Sequence, residues 1–186
     1  MKNQRSYDLV LDSPLGKLGA CFQDRHVTRL DYVAAAVPLQ PATTAVGRQV
    51  AAQLKQYFIN PRQPFTLVLD LQGSAFQCRV WEALRHIPAG QTLTYGELAA
   101  RLDSGARAVG NACRHNPVSI IVPCHRVVSA SGIGGYSGRT EGRQIDRKQW
   151  LLGHEGIVGP ALKSPQKSPT KGYFQANRGI CTHDGR

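Results

Sequence analysis

The sequence is short of acid. Twelve aspartates and glutamates stand against 23 lysines and arginines among 186 residues, a formal net charge of +11. That imbalance excludes an acidic surface and suits a polyanionic partner, nucleic acid first and an anionic membrane surface second. Sixteen of the basic residues are arginines, which fork bidentately onto phosphate, so nucleic acid is favoured. No apolar run approaches the ~20 residues of a membrane span, which argues against a membrane partner. The opening MKNQRSYDLV has no long apolar core, so a secretory signal is not expected. The five cysteines, at 21, 78, 113, 124 and 181, include no Cys-x-x-Cys pair. A zinc ribbon and a thioredoxin-type motif are thereby excluded. Their odd number and wide spacing read as free thiols in a reducing cytoplasm.

What is present is enough for a packed core: 41% hydrophobic and 19% charged residues. Residues 7–33 alternate as three strands, with a turn at Ser13-Pro14-Leu15-Gly16. Val46, Val50, Leu54 and Phe58 fall at helical spacing within 44–58, and Asn60-Pro61 stops that helix. Residues 65–71 alternate again, which predicts a fourth strand. The first 72 residues therefore read as a small α+β unit. Beyond it, Ser74 can cap a helix carrying Phe76, Val80, Trp81 and Leu84. Thr94 caps a helix over 95–102, with Glu97 placed for a capping box. After Asp103-Ser104-Gly105 comes a helix over 106–114. Two short helices joined by a tight turn have the outline of a helix-turn-helix. A closing helix is predicted over 147–154. Residues 160–186 are polar, carry +4 of the charge, and read as a disordered tail.

Cys124 is the sharpest chemical feature. It lies between the apolar run 119–122 and the pair His125-Arg126, just after Pro123. A thiol needs its pKa lowered to act as a nucleophile, and a short helix N-terminus and nearby basic groups could do that. A buried structural cysteine beside a chance histidine is the alternative. Adjacent side chains point in different directions, so His125 would act through a water, with Glu155 as the acid available to hold its tautomer.

The stretch Val122-Pro123-Cys124-His125-Arg126-Val127-Val128 resembles the active-site signature of the O6-alkylguanine-DNA alkyltransferases. The resemblance continues in Asp12-Ser13-Pro14-Leu15-Gly16, Val80-Trp81, 94–99 (TYGELA), Arg107-Ala108-Val109-Gly110, Asn116-Pro117, Tyr136-Ser137-Gly138, and Trp150-Leu151-Leu152 before His154-Glu155-Gly156. Only the chain after about 159 lies outside it.

The resemblance implies a ribonuclease-H-like α+β domain over 1–72, a mainly helical, winged-helix-like domain over 73–159 that binds DNA and accepts the alkyl group, and the basic tail 160–186. It implies direct-reversal repair. O6-alkylguanine, with O4-alkylthymine as a further substrate class, is flipped from duplex DNA, and its alkyl group passes irreversibly to a cysteine. By motif position Cys124 is the acceptor, His125 its base and Glu155 the orienting acid. Tyr95 protonates the leaving base, and Asn116 is a hinge at the active-site turn. Arg107 takes the place of the flipped base. Ala106, Ala108 and Gly110 let that helix approach the minor groove, and Arg114 and Thr94 complete the DNA contacts. Val122, Pro123, Gly135, Tyr136, Ser137 and Gly138 would line the substrate pocket. The segment Arg139 to Arg147 extends the loop and brings arginines for phosphate contact.

No cofactor is implied, and the partner is double-stranded DNA carrying alkylated bases, bound by a monomer. Cys21 and His26 resemble half of a zinc site found in some members, but no further cysteine ligand is apparent and a closed site needs four, so no metal is expected. Two rival readings remain at this point. One is a lesion sensor without transfer, disfavoured because Cys124 is present. The other is a cysteine hydrolase using Cys124, a histidine and Asn116, which leaves the charge unexplained.

Overall fold

Tyr7, near the start, lies flat against Gly19, where an added Cβ would meet its ring at 2.7 Å. The computed structural model describes residues 6–157 and residue 181. β1 (Leu9–Leu11), β2 (Leu18–Gln23) and β3 (His26–Tyr32) form an antiparallel sheet in that order. Leu9 opposes Ala20, and Leu18 opposes Tyr32. The β1–β2 turn closes through Gly16, which takes φ +95° and donates its N–H to the Ser13 carbonyl at 3.0 Å.

α1 (Ala45–Ile59) starts at Thr44, whose hydroxyl accepts from the Gly47 N–H. It buries Val46, Val50 and Leu54, as their spacing predicts, but the last position of the stripe is Tyr57, with the expected Phe58 only partly buried beside it. The fourth strand expected over 65–71 does not form. Leu67, Leu69 and Leu71 are buried in alternation, but only one bridge, Val27 to Leu69, joins β3. The same edge of β3 also binds Val118 through Leu30, so two short segments share it and neither extends into a ladder.

α2 (Ala75–Arg85) and α3 (Tyr95–Arg101) both begin with full capping boxes, Ser74 with Gln77 and Thr94 with Glu97. α4 (Ala106–Arg114) occupies the span expected of it. α2 braces the pair. The Trp81 indole N–H donates to the Ala112 carbonyl at 3.0 Å, and the Arg79 guanidinium donates to the Leu102 carbonyl at 2.6 Å. A two-strand parallel pair, β4 (Leu93–Thr94) with β5 (Val127–Val128), fixes the start of α3 beside the Cys124 loop. α5 (Arg143–His154) begins four residues before the expected start, because Ile145 is already buried one turn earlier. The buried core is continuous from Leu9 to Leu151, so both halves of the chain share it. Among the described residues no helix is long and apolar enough to cross a membrane.

Free thiols were expected throughout, and one pair corrects that. Cys78 of α2 and Cys181 form a disulfide across 103 residues, with Cα atoms 6.0 Å apart. A spacing that long leaves no local signal for the pairing. The tail reading for 160–186 otherwise falls outside the described residues, but Cys181 itself is half-buried against the core.

A cross-link closing a loop of that length removes about 4 to 5 kcal/mol of chain entropy from the unfolded state. Reduction with dithiothreitol, or Cys181→Ser, is therefore expected to lower the urea midpoint measurably, while Cys21→Ser is not. Equal midpoints for oxidised and reduced protein would contradict this.

Candidate active site

The loop after α4 is built around Asn116. Its Nδ2 donates to the Val122 carbonyl at 2.8 Å and to the Cys124 Sγ at 3.2 Å, while its Oδ1 accepts from the Val118 N–H at 3.0 Å. One side chain thus stitches both ends of the turn to the thiol. Inside the turn Ile120 is fully buried at φ +74°, a left-handed conformation that a β-branched residue adopts only when its surroundings impose it. Pro123 then leads into a one-turn 3-10 helix, Cys124–Arg126, which presents the thiol at its first position.

Cys124 is 3% exposed. Burial pushes its thiol pKa up, against the opposing pulls of the Asn116 hydrogen bond and the Lys148 charge. This corrects the expectation of a thiolate held by its basic neighbours. Arg126 does not serve the thiol, because its guanidinium grips Glu155, Nε to Oε2 at 2.9 Å and Nη2 to Oε1 at 2.9 Å. The cation on the thiol's side is Lys148 of α5, fully buried, with Nζ donating to the carbonyls of Val127 at 2.6 Å and Gly135 at 2.9 Å. Burial brings its pKa down to about 8, although Cys124 and Cys113 pull the other way.

His125 is fully buried, and its Nε2 lies 2.8 Å from Glu155 Oε1. Burial lowers the histidine pKa more than Glu155 raises it, so the imidazole is neutral. With Nε2–H given to the carboxylate, Nδ1 is left as the acceptor, buried and without a protein partner among the described residues. Burial alone would raise the Glu155 pKa. The hydrogen bond from His125 and the charged grip of Arg126 outweigh it and hold the group well below the usual carboxylate range. The Tyr57 hydroxyl adds a further bond to Oε1 at 2.8 Å.

In front of the thiol opens a cleft of about 360 Å³, lined by Tyr95, Arg107, Gly110, Cys113, Arg114, Cys124 and the loop 135–140. Tyr95 spans it, its hydroxyl donating to the Gly135 carbonyl at 3.1 Å, and burial raises its phenol pKa above the usual value. Gly135, Tyr136, Ser137 and Gly138 all reach the cleft. The Tyr136 ring is buried, and its hydroxyl sits 3.1 Å from that of Tyr32 in β3. Gly138 (φ +76°) passes so close to Arg114 that an added Cβ would meet Nε at 2.7 Å. Val122 and Pro123 do not line this cleft. The Val122 carbonyl faces Asn116, and Pro123 borders a separate cleft on the other side of the loop with Arg126 and Tyr57.

α4 carries Ala106, Arg107 and Ala108 on exposed backbone at its start, with Arg114 exposed at its end and Val109, Ala112 and Cys113 buried beneath. Thr94 is half-buried as the cap of α3. Of the extra loop, Arg139 and Arg143 are exposed, but Arg147 is not available to phosphate. Its guanidinium stacks 4.0 Å above the Tyr32 ring, and Nε donates to the Leu15 carbonyl at 3.2 Å.

Residues 75–157 match the family model described as 6-O-methylguanine DNA methyltransferase, DNA binding domain. The chain is 43% identical over 159 residues to the methylated-DNA–protein-cysteine methyltransferase of Mycolicibacterium paratuberculosis, covering 82% of this chain and 93% of that one. The chain belongs to this family. A Methanosarcina acetivorans protein of the same name is 34% identical over 158 residues, 81% of this chain and 98% of its own length. Among solved structures, Mycobacterium tuberculosis OGT in complex with DNA superposes with a TM-score of 0.68 at 38% identity, covering 82% of this chain and 94% of that one.

As a methyltransferase-family fold, the chain forms two hydrogen-bonded groups on one turn, Asn116 with Cys124 and His125 with Glu155, and sets Tyr95 and Arg107 around the cleft before the thiol. Three residues of the cluster were missed from sequence. Lys148 and Tyr57 gave no signal, being one cation in a basic stretch and one aromatic on a helical stripe. Arg126 was read as the thiol's neighbour instead of the carboxylate's partner. Among the described residues no group of three or more His, Cys, Asp or Glu side chains could hold a metal ion.

Removing the carboxylate strands Arg126 in a buried place. Glu155→Gln is expected to cost about 3 kcal/mol in urea unfolding. The pH dependence has a definite sign. The unfolded chain binds this proton near pH 4.5 while the folded chain refuses it, so Glu155 stabilises above 4.5 and that contribution is lost as pH falls. Below pH 4.5 the wild type should lose stability more steeply than Glu155→Gln. Parallel slopes would contradict the assignment.

Proposed function

We propose that the chain is a methylated-DNA–protein-cysteine methyltransferase that repairs O6-alkylguanine in duplex DNA by taking the alkyl group onto Cys124. The observation that carries the proposal is the position of the thiol. It forms the floor of an open cleft, backed by a neutral histidine with a bare nitrogen, and rimmed by a basic helix. The naming of the relatives and the solved DNA complex of OGT support the same reading.

The resting thiol is protonated because it is buried. Its proton passes to His125 Nδ1 through a bridging water as the reaction begins, and Glu155 holds the imidazole so that Nδ1 is the acceptor. Lys148 and the Asn116 amide stabilise the thiolate that forms. Sulfur attacks the alkyl carbon, the carbon–sulfur bond forms and the bond to O6 breaks. The electron pair moves into the purine, and Tyr95, whose hydroxyl is kept protonated by burial, supplies the proton that neutralises it. His125 ends protonated and Tyr95 deprotonated, so net charge is unchanged, and return of that proton to Tyr95 through water leaves both groups neutral. The thioether is not hydrolysed, so each chain acts once.

A base inside the duplex cannot reach a thiol at the bottom of a cleft, so the guanine is flipped out. Arg107, exposed where α4 meets the cleft, takes the vacated place, and small Ala106, Ala108 and Gly110 let the helix sit close in the minor groove. Arg114, Thr94 and Arg139 meet the backbone, and Gly135, Ser137 and Gly138 border the flipped base. The division of labour falls near residue 72, with 1–72 as scaffold, 73–159 as the DNA-binding and acceptor part, and 160–186 as a basic extension.

Incubation with a duplex containing O6-methylguanine should add the mass of one methyl group per chain, located on the peptide containing Cys124. Cys124→Ala should bind the duplex and gain nothing. Turnover beyond one equivalent, or an unmodified Cys124, would sink the proposal. Arg107→Ala should slow transfer from duplex while leaving transfer from the free base O6-benzylguanine near the wild-type rate; equal slowing of both would remove the flipping role.

A further inference from the structure

Glu155 Oε1 receives three hydrogen bonds, and one comes from the far half of the chain. His125 Nε2 lies at 2.8 Å, Arg126 Nη2 at 2.9 Å, and the Tyr57 hydroxyl at 2.8 Å. Tyr57 stands in the last turn of α1, 98 residues before the carboxylate, and is 1% exposed. Its ring is clamped by Phe65 and His154, each with ring centroids 5.4 Å away. The His154 imidazole also bonds the Tyr57 carbonyl at 2.8 Å. Packing alone would be served by phenylalanine at this position. The hydroxyl is aimed at the one oxygen that also faces the histidine.

We infer that Tyr57 is a positioning residue for alkyl transfer: its hydroxyl fixes the Glu155 carboxylate so that Oε1 faces His125 Nε2, placing the imidazole and its basic Nδ1. The inference rests on the reading of His125 as the base. Burial and the nearby carboxylate keep the phenol protonated, so it is a donor at every pH at which the protein folds. The other two donors to Oε1 come from the one 3-10 turn and move with it, whereas the Tyr57 hydroxyl anchors the same oxygen from a separate segment, α1. The third bond also draws charge from the carboxylate. Without it, Glu155 would stabilise a protonated His125 more strongly, and the base would be lost at a higher pH. The other charged groups that face this pair are Arg126 in the 3-10 turn and Lys148 of α5, and both oppose histidine protonation.

The test compares wild type, Tyr57→Phe, His125→Gln and the double variant, in full-length protein. Single-turnover transfer from an O6-methylguanine duplex is followed from pH 5 to 9, with duplex affinity and thermal midpoint measured alongside. Tyr57→Phe keeps the clamped ring. It should bind the duplex as wild type does and transfer about tenfold more slowly, the loss expected for one hydrogen bond to a charged group. Its acid limb should move to higher pH. In the His125→Gln background the same substitution should cost almost nothing further, because both act through one group. A wild-type rate and pH profile for Tyr57→Phe, or losses that simply multiply in the double variant, would overturn the inference while leaving the base reading intact. A wild-type rate for His125→Gln would overturn both.

Discussion

The carboxylate of Glu155 is the point on which this structure turns. It is buried, ionised, and held by three donors from two separate stretches of chain, Tyr57 of α1 and the neighbours His125 and Arg126 of the 3-10 turn. Taking a carboxylate and a guanidinium out of water costs several kcal/mol per ion. The cost is met here because both carboxylate oxygens are bonded, and Arg126 has a further carbonyl acceptor at Ile87. The cluster is neutral as a whole, one cation, one anion and an uncharged imidazole. That balance lets His125 sit fully buried with a nitrogen in reserve.

The thiol follows the opposite logic. A surface cysteine with a lowered pKa would react with many electrophiles. Cys124 is kept protonated by burial, and its stabilising neighbours, the Asn116 amide and the Lys148 ammonium, favour a thiolate without creating one. On the reading proposed above, reactivity is thus conditional on a substrate filling the cleft and on a proton acceptor already aligned. The cation is itself restrained. Lys148 spends hydrogen bonds on two carbonyls, one of them that of Gly135, which also receives the Tyr95 hydroxyl. The Tyr95 hydroxyl, the Lys148 ammonium and the loop that lines the cleft therefore meet at a single backbone oxygen.

Much of this was legible in the residues, and the failures have physical causes. Caps were readable because they are local: Ser74 and Thr94 each announce a helix within four positions, and both cap one. The motif around Cys124 and the pairing of His125 with Glu155 were legible by resemblance. Alternation at 65–71 misled because it reports burial on one face, not the availability of a strand edge, and β3 had only one edge to divide. Arg147 was counted with its exposed neighbours since sequence cannot tell a stacked guanidinium from a solvated one. The Cys78–Cys181 bond and the Tyr57 hydroxyl were invisible for a common reason: each joins positions about a hundred residues apart, and nothing local encodes the partner.

The order in which these parts leave the ribosome gives the dispersed donors a further meaning. Tyr57 is made early, the thiol and histidine about two-thirds of the way through, and the carboxylate that joins them only after α5, the last described helix. Until Glu155 emerges, His125 has no carboxylate to fix its tautomer and Arg126 has no anion to hold. A nascent chain carries Cys124 for some thirty residues of synthesis before Glu155 can bond His125. The hydrogen-bonded cluster behind Cys124 therefore closes only once all three of its segments have been made.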